Sequence, residues 1–372
     1  MPEYGIHQPI ERAMRRYHNP VEIRFGAGAL GGIAELVGDR PYCLVTYPDP
    51  PFDRMTARVL DLAGPANLVL DRVEANPDVR GLNDLCSRFT AAPGTAVIVA
   101  LGGGSAIDTA KALAAARGDY QALRRALEPG QMPAGPAALP VIAVPTTAGT
   151  GSEVTSFAVI WDQARGRKLS LDRPDLFPEV ALVDPDLTLG APAPLAVATG
   201  LDALSHALES LWNRNANPIS SSLAVTAARE IIEVLPARIA APEDPEPATR
   251  MSRAALLAGL AFSNTRTTLA HAISYELSLR LGLAHGIACS FSLPRLLAWS
   301  LGHDAACDDA MRQIFGSDPR AGVDRLADLL QGLAVSTDPA DYGLDDAAWR
   351  RAVTAAHDGA QGRAYIGVPT FD

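Results

Sequence analysis

Cysteine is scarce in this chain. Cys43, Cys86, Cys289 and Cys307 are the only four in 372 residues, and no two stand in a C-x-x-C pair. That excludes a disulfide framework and fits reduced, incidental thiols in a cytoplasmic protein. Long apolar runs are also missing: nothing approaches the roughly 18 residues a membrane span requires. Positive charge is not in excess. A net charge of −10 argues against a nucleic-acid or acidic-membrane surface, and an anionic substrate would need local cations. The N-terminus carries Glu3, Glu11 and several Arg without an apolar core stretch, so no signal peptide is expected. Internal repeats are absent too. What remains, 48% hydrophobic and 20% charged residues, is ordinary for a soluble enzyme long enough to build two cores.

The first half alternates short apolar runs with helical patterns. Strands are expected at Tyr42–Thr46, Asn67–Leu70, Thr95–Leu101, Leu139–Val144 and Val180–Val183, with a helix over Asp53–Leu62. Phe157–Trp161 and Lys168–Leu171 flank Arg165-Gly166 and read as a hairpin. This β-α alternation predicts a parallel sheet covered by helices. From Pro192 onward strand signals nearly vanish, and apolar-periodic stretches at 201–213, 218–237, 248–263, 268–282 and 286–300 predict helices. The expected division is an α/β domain over 1–190 and an all-helical domain over 191–372.

Two loops look built for a phosphate-bearing ligand. The Thr95–Leu101 strand runs into Gly102-Gly103-Gly104-Ser105 and then a helical pattern. Glycines let backbone approach a ligand, and free N–H groups at a helix start favour a phosphate. Ser105 and Asp108 also satisfy the S-x-x-D capping box, which would explain both residues structurally. After the next strand comes Pro145-Thr146-Thr147-Ala148-Gly149-Thr150-Gly151-Ser152, dense in hydroxyls that can serve phosphate or ribose oxygens, or simply hold a turn.

The helical half carries the other chemistry. Asp202 and His206 stand at i and i+4, on one face of a helix. His271 and His285 follow in an apolar region. Each His alone reads equally as a packed residue. Together, one carboxylate and three imidazoles make a closed ligand set for a divalent transition metal, with Fe²⁺ and Zn²⁺ both suited.

These pieces resemble the metal-dependent, iron-containing alcohol dehydrogenase family. The resemblance rests on Gly102–Lys111, Pro145–Thr155, Asp184-Pro185-Asp186-Leu187-Thr188, the Asp202…His206 helix and the His271…His285 pair, and it runs from about Asn19 to about residue 300. It implies a dehydroquinate-synthase-like fold: an α/β domain with a parallel nucleotide-binding sheet, followed by an all-α metal-binding domain. It also implies NADH or NADPH bound by Gly102, Gly103, Gly104, Ser105, Asp108, Thr146, Thr147, Thr150 and Ser152, one Fe²⁺ (or Zn²⁺) on Asp202, His206, His271 and His285, and a homodimer or larger assembly. Asn76 and Lys168 fall on family positions near the cofactor, though a turn and a surface lysine explain them as well. In members that prefer NADH an Asp often ends the first strand. Tyr47 stands there, with Asp49 close by, so use of both cofactors is expected. Many members have a second His four residues after the third ligand. Here that place is Tyr275, a candidate catalytic hydrogen-bond donor.

The run Ser263-Asn264-Thr265-Arg266-Thr267-Thr268-Leu269-Ala270-His271 sets the expected substrate class. Paired guanidinium donors flanked by hydroxyls suit a tetrahedral anion. Alternatively Arg266 bonds its own helix or a neighbouring carboxylate. Through Tyr275 the run is similar to a subgroup reducing phosphonoacetaldehyde to 2-hydroxyethylphosphonate in phosphonate natural-product (antibiotic) biosynthesis, and the Ala-, Arg-, Gly- and Pro-rich composition fits a high-GC bacterium. The expected anchor is Arg266, assisted by Thr267 and Asn264, with Arg173 and Lys168 secondary. Thr267, four residues before His271, is expected on the same helix face. The alternatives are a reductase of a small neutral aldehyde, such as lactaldehyde or a short alkanal, and a dehydroquinate-synthase-like lyase. The lyase normally surrounds a polyanion with several Lys, in which this helical half is poor.

Overall fold

A computed structural model describes residues 16–128 and 136–371. Glu3 and Glu11, on which the leader argument rests, lie outside them. No helix among the described residues is long and apolar enough to cross a membrane.

The expected α/β-plus-helical architecture is found. Six strands, β1 (Glu22–Phe25), β2 (Tyr42–Val45), β3 (Leu68–Leu70), β4 (Val97–Gly102), β5 (Val141–Pro145) and a last one at Val180–Val183, form one parallel sheet. Between β5 and that last strand, β6 (Phe157–Asp162) and β7 (Arg167–Asp172) pair as the antiparallel hairpin, which makes Val180–Val183 β8. The sheet order is β1-β8-β5-β4-β2-β3. All six residues of β4 and all four of β2 are buried, as expected of strands covered on both faces. One face packs on helices Val79–Thr90 and Gly104–Ala116. The other packs on Ile33–Val37 and Phe52–Ala63. β1 carries no sequence signal, because its pattern Glu-Ile-Arg-Phe is short and its side chains are largely exposed at the sheet edge.

The helical half begins at Ala193. Helix Ala193–Leu211 is buried throughout its second half, beneath Pro218–Ala240, Pro245–Thr265 and His285–Ser290. The single helix expected over 286–300 is two, His285–Ser290 and Leu293–Ser300, with Pro294 in the first turn of the second. Proline is favoured in a first helical turn, where its missing N–H would have no intrahelical partner. The final segment supplies helices Ala305–Phe315, Ala321–Gly332 and Asp346–Asp358.

Candidate active site between the sheet and the helical half

β2 and β4 are neighbours in register, Val45 beside Ala100, and the chain order of the sheet reverses between them. A crevice outside the carboxyl ends of such a pair is where open α/β sheets take nucleotides. Gly102 ends β4 with φ +155, and a Cβ there would lie 2.7 Å from both the Tyr47 ring and Ala106. The glycine is needed because Tyr47, at the end of β2, closes directly over it. Helix Gly104–Ala116 then starts without any side-chain cap, so its first N–H groups remain available to an anion.

The expected capping box is therefore absent. The helix starts at Gly104, two residues earlier than a Ser105 cap would allow, which puts Ser105 inside its first turn. Both side chains instead tie segments together. Ser105 Oγ accepts from the Asn76 N–H at 3.0 Å, while Asp108 accepts from Ser152 Oγ at 2.6 Å and from the Val159 N–H at 2.9 Å. Beneath them Lys111 is fully buried, its ammonium donating to Ser152 O, Ser152 Oγ, Thr155 Oγ1 and Phe157 O at 2.6–3.1 Å. Burial pushes Lys111 down to about 8, and pushes neighbouring Glu153 up to about 7.

The four candidate metal ligands converge. Nε2 of His206, His271 and His285 lies 3.7, 3.4 and 3.9 Å from Asp202 Oδ1. Asp202 and His206 share helix Ala193–Leu211, and His271 stands on Leu269–Leu281. His285 opens its own helix, which presses so closely that a Cβ on Gly286 would lie 1.7 Å from Ala198 O. Asp202 Oδ1 and His271 Nε2 are buried with no hydrogen-bond partner. Each such group costs about 1–3 kcal/mol. A cation among them removes that cost, so the donor set fits a divalent metal. Burial also lowers His206 to about 4, which keeps its ring neutral and able to ligate.

Two residues at this cluster escaped the sequence reading. Glu209 is fully buried. Its Oε1 accepts from Thr268 N, Thr268 Oγ1 and Ala270 N at 2.8–3.0 Å, and its Oε2 takes the Nδ1–H of His271. That bond leaves Nε2 of His271 as the ligating nitrogen. Its signal was present: Asp202, His206 and Glu209 follow i, i+4, i+7 along one helix face. Cys289, one turn after His285, brings a thiol into the same group, its sulfur within 4.8 Å of donor atoms of Asp202, His271 and His285. His206 lies outside that particular grouping, but its 3.7 Å approach to Asp202 keeps it in the cluster.

A cleft of about 760 Å³ joins both halves. Asn76, Gly104, Ser105, Asp108, Thr150, Ser152 and Lys168 line it from the sheet side, opposite the four candidate ligands, Arg266, Thr267 and Tyr275. Arg266 has the left-handed φ of +68 and ends its helix. Its guanidinium, 40% exposed, donates to Asp172 at 2.8 Å and lies over the Phe157 ring at 4.5 Å. Both readings of Arg266 thus find support: it has a carboxylate partner, and it faces the cleft. Thr267 reaches the cleft by another route than expected, since the next helix starts only at Leu269 and Thr267 sits in the break.

Among the expected residues, Arg173, Asn264, Thr146 and Thr147 lie outside the lining of this cleft. Arg173 is buried against Asp175 and Pro136 O and borders a separate cavity of about 210 Å³. Asn264 turns away from the cleft to accept from the His18 N–H at 2.7 Å and to donate to Ser263 Oγ. Thr146 and Thr147 border a small crevice with Thr188, Thr199 and Arg238.

Known families and solved structures share this architecture. Residues 20–185 match the family model described as iron-containing alcohol dehydrogenase, and residues 196–366 match its C-terminal counterpart. The chain belongs to the iron-containing alcohol dehydrogenase family. It is 42% identical over 210 residues (55% of this chain, 53% of the relative) to the NAD-dependent methanol dehydrogenase of Bacillus methanolicus. It is 41% identical over 249 residues (64% and 59%) to the phosphonoacetaldehyde reductase of Streptomyces viridochromogenes. The chain thus spans little more than half the length of these curated relatives. Among solved structures, the sulfoacetaldehyde reductase of Bifidobacterium kashiwanohense in complex with NAD⁺ superposes with a TM-score of 0.89 at 32% identity, covering 97% of this chain and 96% of that one.

Proposed function

We propose that this protein is a nicotinamide- and metal-dependent reductase of a short anionic aldehyde, converting phosphonoacetaldehyde to 2-hydroxyethylphosphonate. The observation that carries the reading is the position of Arg266. Its half-exposed guanidinium stands in the wall of the same cleft that holds the Asp/His cluster. Lys168 adds a second cation to that wall. Two proteins similar to this chain have names that join an aldehyde to a phosphonate or a sulfonate.

Asp202, His206, His271 and His285 would hold the metal, Fe²⁺ (or Zn²⁺), which supplies a Lewis acid for a carbonyl oxygen. Glu209 fixes the ring of His271 so that Nε2 points into the cluster. The uncapped start of helix Gly104–Ala116, with the Thr150 hydroxyl, offers donors to the cofactor phosphates, while Ser152 spends its hydroxyl on Asp108 and lines the cleft beside them. At the end of β2, Tyr47 leaves no carboxylate against a 2′-phosphate, so both NADH and NADPH are accepted. Arg266 and Thr267 then grip the anionic head and present the carbonyl end to the cluster.

The test is oxidation of NADH and NADPH by the Fe²⁺-loaded protein, with phosphonoacetaldehyde beside propionaldehyde and lactaldehyde. The reading requires kcat/KM at least about 100-fold higher for the phosphonate, roughly 2.7 kcal/mol. Arg266→Ala should remove most of that margin. Equal turnover of the neutral aldehydes sinks the assignment in favour of a general aldehyde reductase. That second reading has its own observation: Arg266 is already paired with Asp172. The lyase reading is disfavoured, because the only two lysines of the chain, Lys111 and Lys168, both stand in the sheet half.

A further inference from the structure

The C-terminal segment places one more side chain in the cleft. Gln361 follows the last helix, at the head of the short turn Gly362–Ala364. The turn is pinned on both sides. A Cβ on Gly362 would lie 2.1 Å from Ala356 O, so this backbone packs directly on the end of the preceding helix. Just beyond, the Arg214 N–H donates to Ala364 O at 2.7 Å, and Tyr365 is fully buried with its hydroxyl donating to Leu296 O. The carboxamide of Gln361 is therefore presented by fixed backbone. Its Nε2 donates to Tyr275 Oη at 2.7 Å and to Thr267 Oγ1 at 3.0 Å.

These two bonds decide what the hydroxyls can do. Each hydroxyl has one proton to donate and lone pairs to accept with. Gln361 fills an acceptor site on both oxygens with its two N–H groups. Among the described residues neither Tyr275 nor Thr267 donates its own proton to anything, and both hydroxyls line the cleft. Lys168 Nζ sits 3.8 Å from the centroid of the Tyr275 ring, which holds that ring from its face. The result is two O–H donors on one wall, near two cations, awaiting a group that only accepts.

We propose that Gln361 is a positioning residue for substrate specificity: by donating to Tyr275 and Thr267 it commits both hydroxyls to donate to the oxygens of the substrate's anionic head. This rests on the anionic-aldehyde reading. Gln361 acts through the hydroxyls rather than on the substrate, so its effect must vanish when they are gone.

The experiment is a double-mutant cycle on the metal-loaded, full-length enzyme. Q361A, Q361E, Y275F and Q361A/Y275F are assayed with phosphonoacetaldehyde and propionaldehyde, and thermal melts show which variants fold like the wild type. Q361A should raise KM for phosphonoacetaldehyde about tenfold, with kcat little changed and propionaldehyde affected less than about threefold, and Y275F should raise the same KM at least about tenfold. The double variant should lose clearly less than the product of the two single losses, the remainder passing through Thr267, which Gln361 still reaches when Tyr275 is gone. Q361E is nearly isosteric but accepts where the amide donates. It should draw both hydroxyl protons to itself and cost about 100-fold in kcat/KM on the anion. Additive losses in Q361A/Y275F, or a wild-type-like Q361E, overturn the proposal. If the wild type itself does not prefer phosphonoacetaldehyde, the substrate reading fails. The same cycle run on lactaldehyde then decides about Gln361: coupling to Tyr275 sustains the positioning role, and additivity ends it.

Discussion

The two ends of the cleft are built differently. The metal end is made of side chains from helices, nearly all buried, and its key imidazole is held by a carboxylate that is itself saturated with donors. The opposite end, where the proposed anionic head would bind (the anion end below), is made of chain ends and breaks. Arg266 terminates a helix in a left-handed conformation, Thr267 sits between two helices, Lys168 rides on the hairpin, and Gln361 arrives from the last turn. Its charges are half-exposed, 40% for Arg266 and 49% for Asp172. A reaction centre needs fixed geometry, which helices supply. A recognition wall built on termini and loops can be changed without disturbing the helices beneath it.

The hardest way to break that contrast is at the metal end. Asp202→Ala or His271→Ala should remove the bound metal and lower kcat by at least about 1,000-fold, while the sheet half still binds NADH. Elemental analysis beside NADH fluorescence titration measures both. Retained metal in either variant would mean that the cluster is not the site. One step smaller, Glu209→Gln keeps the shape but weakens the acceptor for His271. Metal affinity should fall about 10- to 100-fold in a chelator competition. An unchanged affinity would show that helix packing alone orients His271.

The same contrast explains what was legible in the sequence. Asp202 and His206 could be read because i, i+4 spacing on a buried helix is local, and β2, β4 and β8 because buried parallel strands are continuous apolar runs. The Ser105…Asp108 pair was misread because a capping motif and two tertiary anchors have the same local pattern. Asn264 and Arg266 are near neighbours in sequence, yet only Arg266 faces the cleft. The helix break between them and His271 redirects each side chain in a way that spacing does not encode. Gln361 was invisible for a further reason: its partners lie 86 and 94 residues away, and its own segment has no periodicity.

The anion end can be sharpened rather than broken. Asp172 accepts one N–H of the Arg266 guanidinium and offsets part of its charge. Asp172→Asn should free that charge and lower KM for phosphonoacetaldehyde about two- to fivefold, since an exposed pair contributes only about 0.2–1 kcal/mol. Turnover of propionaldehyde should stay unchanged. A rise in KM for the anion would mean that Asp172 aims Arg266 rather than restrains it.

Turnover is expected to change least beneath the cofactor loop, where pH acts on stability instead. Burial holds the Glu153 carboxyl at about 7, against 4.5 in its ordinary state. The folded chain therefore binds this proton more tightly than the unfolded chain does. Below pH 4.5 both forms are protonated and the contribution to stability is complete. Between pH 4.5 and 7 the unfolded chain releases the proton first, so stability declines as pH rises through that window, by a few kcal/mol at most. Lys111, buried beside it and lowered to about 8, limits the loss by sharing charge with the ionised carboxylate. Glu153→Gln is locked in the neutral state and should lack that decline. Its Tm should match the wild type near pH 4.5 and exceed it by a few degrees above pH 7. Parallel Tm curves across the window would show that Glu153 folds already ionised against Lys111, making the pair a buried ion pair instead of a protonated carboxyl beside a cation.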